Sequence, residues 1–118
     1  MTFPITKFTK LDTPFYYYDL GNLNETLKAI HAETDHRKNF HVHYAIKANA
    51  NPRIMKIIAQ SGLGADCVSG GEIEAASKAG FDGQKIVYAG VGKSDKEIRT
   101  ALEKDIFCFN VESLPELE

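Results

Sequence analysis

The sequence carries no surplus of basic charge: 14 Lys and Arg stand against 16 Asp and Glu, a net −2. It therefore shows no electrostatic footprint for nucleic acid or for an anionic membrane surface, and a small neutral or zwitterionic molecule is the expected partner. No apolar run approaches the roughly 20 residues of a membrane span. The opening residues, Met1 to Lys7, lack the apolar stretch of a secretory signal, so a cytoplasmic protein is expected. Cysteine is scarce. The two present, Cys67 and Cys108, show no metal-ligand spacing such as C-x-x-C. No metal is expected, and both read as buried, reduced thiols inside apolar strand-like segments. Asn24-Glu25-Thr26 matches a glycosylation acceptor only by chance, because it falls in a helical stretch of a cytoplasmic chain. Gly92-Lys93-Ser94 mimics the end of a nucleotide-binding P-loop, but Val87 stands where the earlier glycine is required, so nucleotide binding is rejected. What is left is a chain of 118 residues, 43% hydrophobic and 25% charged, the make-up of one ordinary globular domain.

Its organisation repeats. Strand-like runs at His41 to Lys47, Ala65 to Ser69, Ile86 to Gly90 and Ile106 to Val111 start about every 20 to 24 residues, the length of a compact β/α unit. Helical patterns lie between them. Pro52 to Ser61 places Ile54, Met55, Ile57 and Ile58 on one face and stops at Gly62. Gly70 to Ala79 presents Ile73, Ala75, Ala76 and Ala79 and stops at Gly80, and Asp95 to Lys104 presents Ile98, Ala101 and Leu102. Each start is announced: Asn51 before Pro52 is an N-cap, while Ser69 to Glu72, Ser94 to Glu97 and Ser113 to Glu116 spell capping boxes. The last box is followed by so few residues that the chain is expected to stop inside an element. Upstream, Pro14 to Asp19 reads as a strand, followed by a helix carrying Leu23, Leu27 and Ile30, and residues 33–39 form a polar connection.

Strands of near-continuous apolar character separated by helices imply parallel pairing through right-handed crossovers. About four such units, preceded by an N-terminal strand and helix, make half of a (β/α)8 barrel. An open doubly wound sheet would use the same local signals, but it usually carries a Gly-rich loop after its first strand. Here that strand runs into Lys47-Ala48-Asn49-Ala50-Asn51-Pro52, and the barrel is preferred.

Lys47 is the residue expected to carry chemistry. At the carboxyl edge of a barrel strand a lysine can be partly desolvated, which disfavours its ammonium and frees a nucleophilic amine. Spacing alone is equally compatible with a lysine snorkelling to water. If Lys47 faces the barrel interior, Ala45, His43 and His41 share its face, and Val42, Tyr44 and Ile46 face the helices. His41 and His43 lie upstream of the catalytic end and read as packing groups. Gly70-Gly71 opens a helix and could receive an anion there, but no phosphate is assigned to it.

Several motifs resemble one family in order. They are Thr13-Pro14-Phe15-Tyr16, Tyr44 to Asn49, Gly62 to Glu72, Val87 to Gly90 with Gly92 to Asp95, and Phe107 to Ser113. Together they resemble the diaminopimelate decarboxylases, fold-type III enzymes that use pyridoxal 5'-phosphate. The resemblance runs from about Thr13 to the last residue and covers only the amino-terminal part of the family's pattern. It implies a (β/α)8 barrel beside a β-domain, usually dimeric, that converts meso-diaminopimelate to L-lysine and carbon dioxide. On that reading residues 1–20 join the β-domain and residues 21–118 form the first half of the barrel. Lys47 would be the lysine joined to the cofactor. Asp66 would lie near its amine and hold its ammonium in the free enzyme, and Glu72 would stand close to the active site, although the box with Ser69 explains Glu72 without any ligand.

The family's phosphate loop, pyridine partner and substrate-reading groups come later than this sequence reaches, so the chain alone is expected to be inactive. The alternatives are an ornithine or arginine decarboxylase of the same fold type, a non-catalytic pyridoxal-phosphate carrier, and a structural half-barrel in which Lys47 is dispensable. Open sheet edges further imply a homo-oligomer.

Overall fold

A computed structural model describes residues 3–118, so the first two residues of the expected 1–20 segment lie outside the described ones. Four parallel strands, β1 (His43–Ala45), β2 (Gly64–Cys67), β3 (Ile86–Tyr88) and β4 (Cys108–Phe109), form one sheet in the order β1-β2-β3-β4. That sequential order decides between the two architectures. A doubly wound sheet reverses its strand order partway, whereas successive neighbours joined by crossovers of one hand put every helix on the same face, as in a barrel.

Register shows which face that is. Tyr44, Ala65 and Ile86 align across the sheet, as do Cys67, Tyr88 and Phe109. These rows pack into the core with Ile54, Met55 and Ile58 of α3 (Pro52–Ser61), Ile73 and Ala76 of α4 (Gly70–Ala79) and Ala101 of α5 (Asp95–Glu103). Leu23, Leu27 and Ile30 of α2 (Leu20–Thr34) close one end, as their spacing predicts. The opposite rows, Ala45, Asp66, Val87 and Cys108, are half-buried. The helix-facing side thus carries the hydrophobic stabilisation, about 1.5–3 kcal/mol for each large aliphatic side chain fully buried.

The helices start and stop where their capping residues dictate. Asn51 Oδ1 accepts the Arg53 N–H at 3.0 Å to open α3, and Gly62 closes it at φ 95°, a left-handed conformation that a β-carbon would strain. At α5 the capping box of Ser94 and Glu97 is complete. The other two boxes are not. Ser69 Oγ accepts the Glu72 N–H at 3.2 Å, but the Glu72 carboxylate reaches past Ser69 to the Val68 N–H. Ser113 makes no side-chain cap at α6 (Leu114–Leu117), where Glu116 reaches back to the Glu112 N–H.

The segment Pro14 to Asp19 is not a strand. Its aromatic rings pack on the short helix α1 (Ile5–Phe8) and its approach, with Phe8 5.2 Å from Phe15 and 5.0 Å from Tyr17 between ring centroids. A β-prone run forms a ladder only beside another strand, and none adjoins it among the described residues. The first sheet strand is also shorter than its apolar pattern, and Ile46–Ala48 close into a single 3-10 turn. Cys67 is fully buried, and burial pushes its thiol up to about 12, with the charges of Glu72 and Asp66 adding to the rise. Cys108 is only half-buried, because its side chain lies on the uncovered face.

Gly64 is where backbone and ring leave no room for a side chain. A β-carbon there would collide with the Lys85 carbonyl and stand 2.5 Å from Nδ1 of His43. At Gly71 the nearest neighbour would be Ser69 Oγ at 3.8 Å. Gly64→Ala is therefore expected to cost roughly 2 kcal/mol or more by overpacking. Gly71→Ala is expected to gain about 0.5–1 kcal/mol of helix propensity. Urea unfolding of the two variants side by side checks both signs.

Candidate active site at the carboxyl edge of the sheet

Ile46 is fully buried and anchors the 3-10 turn against the core, so the next residue, Lys47, is carried out beyond the end of β1. The turn is pinned from both sides. Tyr44 donates its hydroxyl to the Asn49 carbonyl at 3.0 Å, and Asn49 Oδ1 accepts the Asn51 N–H at 2.9 Å. Burial raises the Tyr44 hydroxyl above its ordinary value, partly offset by that bond. Lys47 is exposed, and the sheet face beside it carries no second layer among the described residues. Alternation is nonetheless as the sequence predicts up to the turn, with Val42, Tyr44 and Ile46 on the helix side.

Asp66 lies in β2 directly beside Ala45, two residues before Lys47, on strands that parallel pairing holds about 4.8 Å apart. The expected ion pair is not made. Among the described residues the ion pairs are His31–Asp35, Lys93–Glu116 and Lys104–Glu74, and none involves Lys47 or Asp66. An exposed pair of this kind contributes only about 0–1 kcal/mol, against the entropy of fixing a long side chain. Lys47 makes no ion pair among the described residues.

Glu72 sits in the first turn of α4, and its Oε2 accepts the Val68 N–H at 2.8 Å. Beside it, Oε1 of Glu97 accepts the Gly70 N–H at 2.9 Å. Two carboxylates thus bond the N–H groups on either side of Ser69. An anion approaching Gly70-Gly71 would meet those charges, which removes this helix start as a phosphate site. His43 packs as expected, its ring stacked 6.5 Å from Phe107 at the opposite end of the sheet.

Sequence reasoning missed Lys93. Its side chain is 1% exposed and that of Glu116 13%. The ammonium donates to the Gly90 carbonyl at 2.6 Å, to the Asn110 carbonyl at 2.8 Å and to the Glu116 carboxylate, and it lies 5.5 Å above the Tyr88 ring. All three of its donors are satisfied, so it joins the ends of β3 and β4. The recurrence of a glutamate four residues after a strand-end residue, Val68 with Glu72 and Glu112 with Glu116, was the signal available.

The model of the family described as "Pyridoxal-dependent decarboxylase, pyridoxal binding domain" matches residues 20–118. Diaminopimelate decarboxylase of Bacteroides thetaiotaomicron is 63% identical over 116 residues, which are 98% of this chain and 30% of that protein. The Aquifex aeolicus enzyme of the same name is 45% identical over 109 residues, 90% of this chain and 24% of that one. The crystal structure of diaminopimelate decarboxylase from Helicobacter pylori complexed with L-lysine superposes with a TM-score of 0.89 at 42% identity, covering 96% of this chain and 28% of that one. Lysine decarboxylase from Selenomonas ruminantium gives 0.81 at 28% identity, covering 95% and 29%. The chain therefore spans about a quarter to three-tenths of the length of these relatives.

Hydrogen bonding holds two carboxylates below their ordinary value of 4.5: Glu97 through the Gly70 N–H and then Ser94, and Glu116 through Lys93 and then the Glu112 N–H. A depressed folded pKa stabilises the fold above the unfolded carboxylate value, and that stability is lost as pH falls through the folded value. Stability is thus expected to decline below about pH 4.5. Glu97→Gln and Glu116→Gln should each flatten that decline, as read by thermal melts across an acid series.

Proposed function

The chain belongs to the pyridoxal-dependent decarboxylases, as their pyridoxal-binding domain, and from that premise we propose that it works within an enzyme decarboxylating meso-diaminopimelate to L-lysine. In that reaction a carboxylate leaves as carbon dioxide and a proton takes its place. The observation that carries this reading is Lys47: an exposed lysine two residues past the end of β1, whose last residue Ala45 pairs with Asp66, in a chain 63% identical over 116 residues to a diaminopimelate decarboxylase. Identity also favours this substrate over ornithine or arginine. Structures of diaminopimelate decarboxylases match at 40–44%, whereas the lysine/ornithine and arginine decarboxylases match at 26% and 25%.

Pyridoxal phosphate, when bound, supplies an aldehyde that condenses with an amine and a ring that takes up the electron pair left by the departing carboxylate. The chain's own residues do the rest. Lys47 offers the amine, on a turn whose backbone is fixed by Tyr44 and Asn49. Asp66 places a negative charge on the neighbouring strand, where it favours the protonated form of a nitrogen nearby. Ala45 keeps the floor beside Lys47 low. Glu72 fixes the loop before α4 by bonding the Val68 N–H, and along the half-buried row the Asp66 carboxylate stands between Ala45 and Val87, with Cys108 beyond.

Residues 1–20 lie almost wholly outside the family match, and their exposed aromatics, Tyr16 at 89%, support our assigning them to the junction with a β-domain. We assign residues 21–118 to the first half of the barrel. We assign the protein to the cytoplasm, where an enzyme of amino-acid synthesis would work. No helix among the described residues is long and apolar enough to cross a membrane. We infer a homo-oligomer, as the resemblance to the family implies. Sedimentation of the full-length protein across the micromolar range should show a mass above that of the monomer.

In the full-length protein, Lys47→Ala is expected to remove the cofactor's visible absorbance and to lower turnover of diaminopimelate by about a thousandfold or more. Retention of both by the variant would overturn the assignment. The 118-residue chain alone, offering Lys47 without the family's later anchors, should show neither turnover nor a saturable cofactor band dependent on Lys47.

A further inference from the structure

Glu97 joins two β/α units whose bonded residues lie 27 positions apart. Its Oε2 accepts the N–H of Ser94 at 3.1 Å and the Ser94 hydroxyl at 2.7 Å, which is the ordinary work of a helix cap. Its Oε1 does something that capping does not require: it crosses to α4 and accepts the Gly70 N–H at 2.9 Å. Gly70 is fitted to this approach. A β-carbon at that position would stand 2.7 Å from Cγ of Glu97 and 3.3 Å from its Oε1, so any larger residue would push the carboxylate away.

The bond lands on a particular loop. It begins after Cys67, the neighbour of Asp66, and its Val68 N–H is already bonded to Glu72. Gly90, at φ 105°, brings the next loop within 3.3 Å of the Val68 carbonyl, measured from where its β-carbon would be. Release of the Gly70 N–H therefore frees one end of the segment that carries Asp66 on one side and Glu72 on the other.

We propose that Glu97 is a positioning residue for the pyridoxal site: through Gly70 it fixes the β2–α4 loop and so the placement of Asp66 and Glu72 relative to Lys47. This rests on the reading of Lys47 as the cofactor lysine. Glu97 itself touches none of these three groups. Its effect is transmitted by backbone, and misplacement by about 1 Å is enough to lower a rate on the order of a hundredfold.

The test uses the full-length enzyme and separates the cross-link from the cap. Ser94→Ala removes the cap and leaves the Gly70 bond, Glu97→Ala removes both, Glu97→Gln keeps one acceptor oxygen, and Gly70→Ala displaces an intact Glu97. In the cofactor-free protein, deuterium uptake at residues 68–71 should rise about tenfold in Glu97→Ala and Gly70→Ala and stay near wild type in Ser94→Ala. In the loaded enzyme the same two variants should lose kcat by about 10- to 100-fold with KM within about threefold. They should also shift the pH at which the cofactor's visible absorbance changes. Glu97→Gln should recover most of the loss. Equal behaviour of Ser94→Ala and Glu97→Ala, or unchanged uptake at residues 68–71, would overturn the proposal. A Lys47→Ala enzyme that keeps its visible band would instead overturn the cofactor-lysine reading, and the uptake measurement would still report on the cross-link.

Discussion

The parallel, in-order register of the four strands is the constraint from which the rest follows. Because Ala45 aligns with Asp66, Asp66 with Val87 and Val87 with Cys108, every strand ends at the same edge. Each helix must then return along the same face to start the next strand. The connections at the carboxyl edge are thereby gathered side by side, and residues 47, 66, 72 and 97, distant in sequence, lie at the strand ends and first helical turns that flank them. One slip of register would place Ala65 and Cys67 on the open face and Asp66 in the core, burying a carboxylate among Ile54, Met55 and Ile73.

At that edge the sequence repeats a small device and varies its use. Each of three helices begins after a serine followed three residues later by glutamate. In α5 the pair closes on itself as a capping box. In α4 the glutamate holds the loop instead, at Val68, and in α6 it holds Glu112 and the buried ammonium of Lys93. The common element is a carboxylate near a helix start, where the dipole and free N–H groups favour it. Which N–H it reaches depends on how the preceding strand ends, so the same serine-to-glutamate spacing yields a cap, a loop staple or an ion pair. Lys93 shows the stakes: a buried ammonium is tolerated because two carbonyls, one carboxylate and the Tyr88 ring surround it.

Periodicity and punctuation made the units legible. Ile54, Met55 and Ile58 recur at helical spacing between Asn51-Pro52 and Gly62, and the structure builds α3 over that span. The barrel arrangement was also readable, because strands at nearly equal intervals without a phosphate loop fit sequential winding. What could not be read were partners across space. Pro14 to Asp19 has strand composition, and composition cannot say whether a neighbouring strand is there. Lys47 has the right place at a strand end, but its exposure depends on what covers the sheet's open face. The bond from Glu97 to Gly70 is invisible in sequence, since a capping box already accounts for Glu97 and a helix start already accounts for Gly70. Two residues with sufficient local explanations conceal the contact between them.

The open face also shows what this stretch of chain leaves to its surroundings. An amine attacks a carbonyl only in its neutral form, and water favours the ammonium, so on the proposed reading of Lys47 exclusion of water is part of its activation. Here the turn, the aligned Asp66 and the stapled loop are fixed in advance by bonds internal to residues 44–97, whereas the covering of Lys47 is not. Position and dryness therefore come from different sources. The first is fixed locally, by hydrogen bonds within and between neighbouring units. The second requires a layer over the row of Ala45, Asp66, Val87 and Cys108, in which three apolar side chains gain by being covered while the Asp66 carboxylate needs a partner once water is excluded. A chemical site divided in this way can be geometrically formed in one part of a fold and still depend on another part for its reactivity.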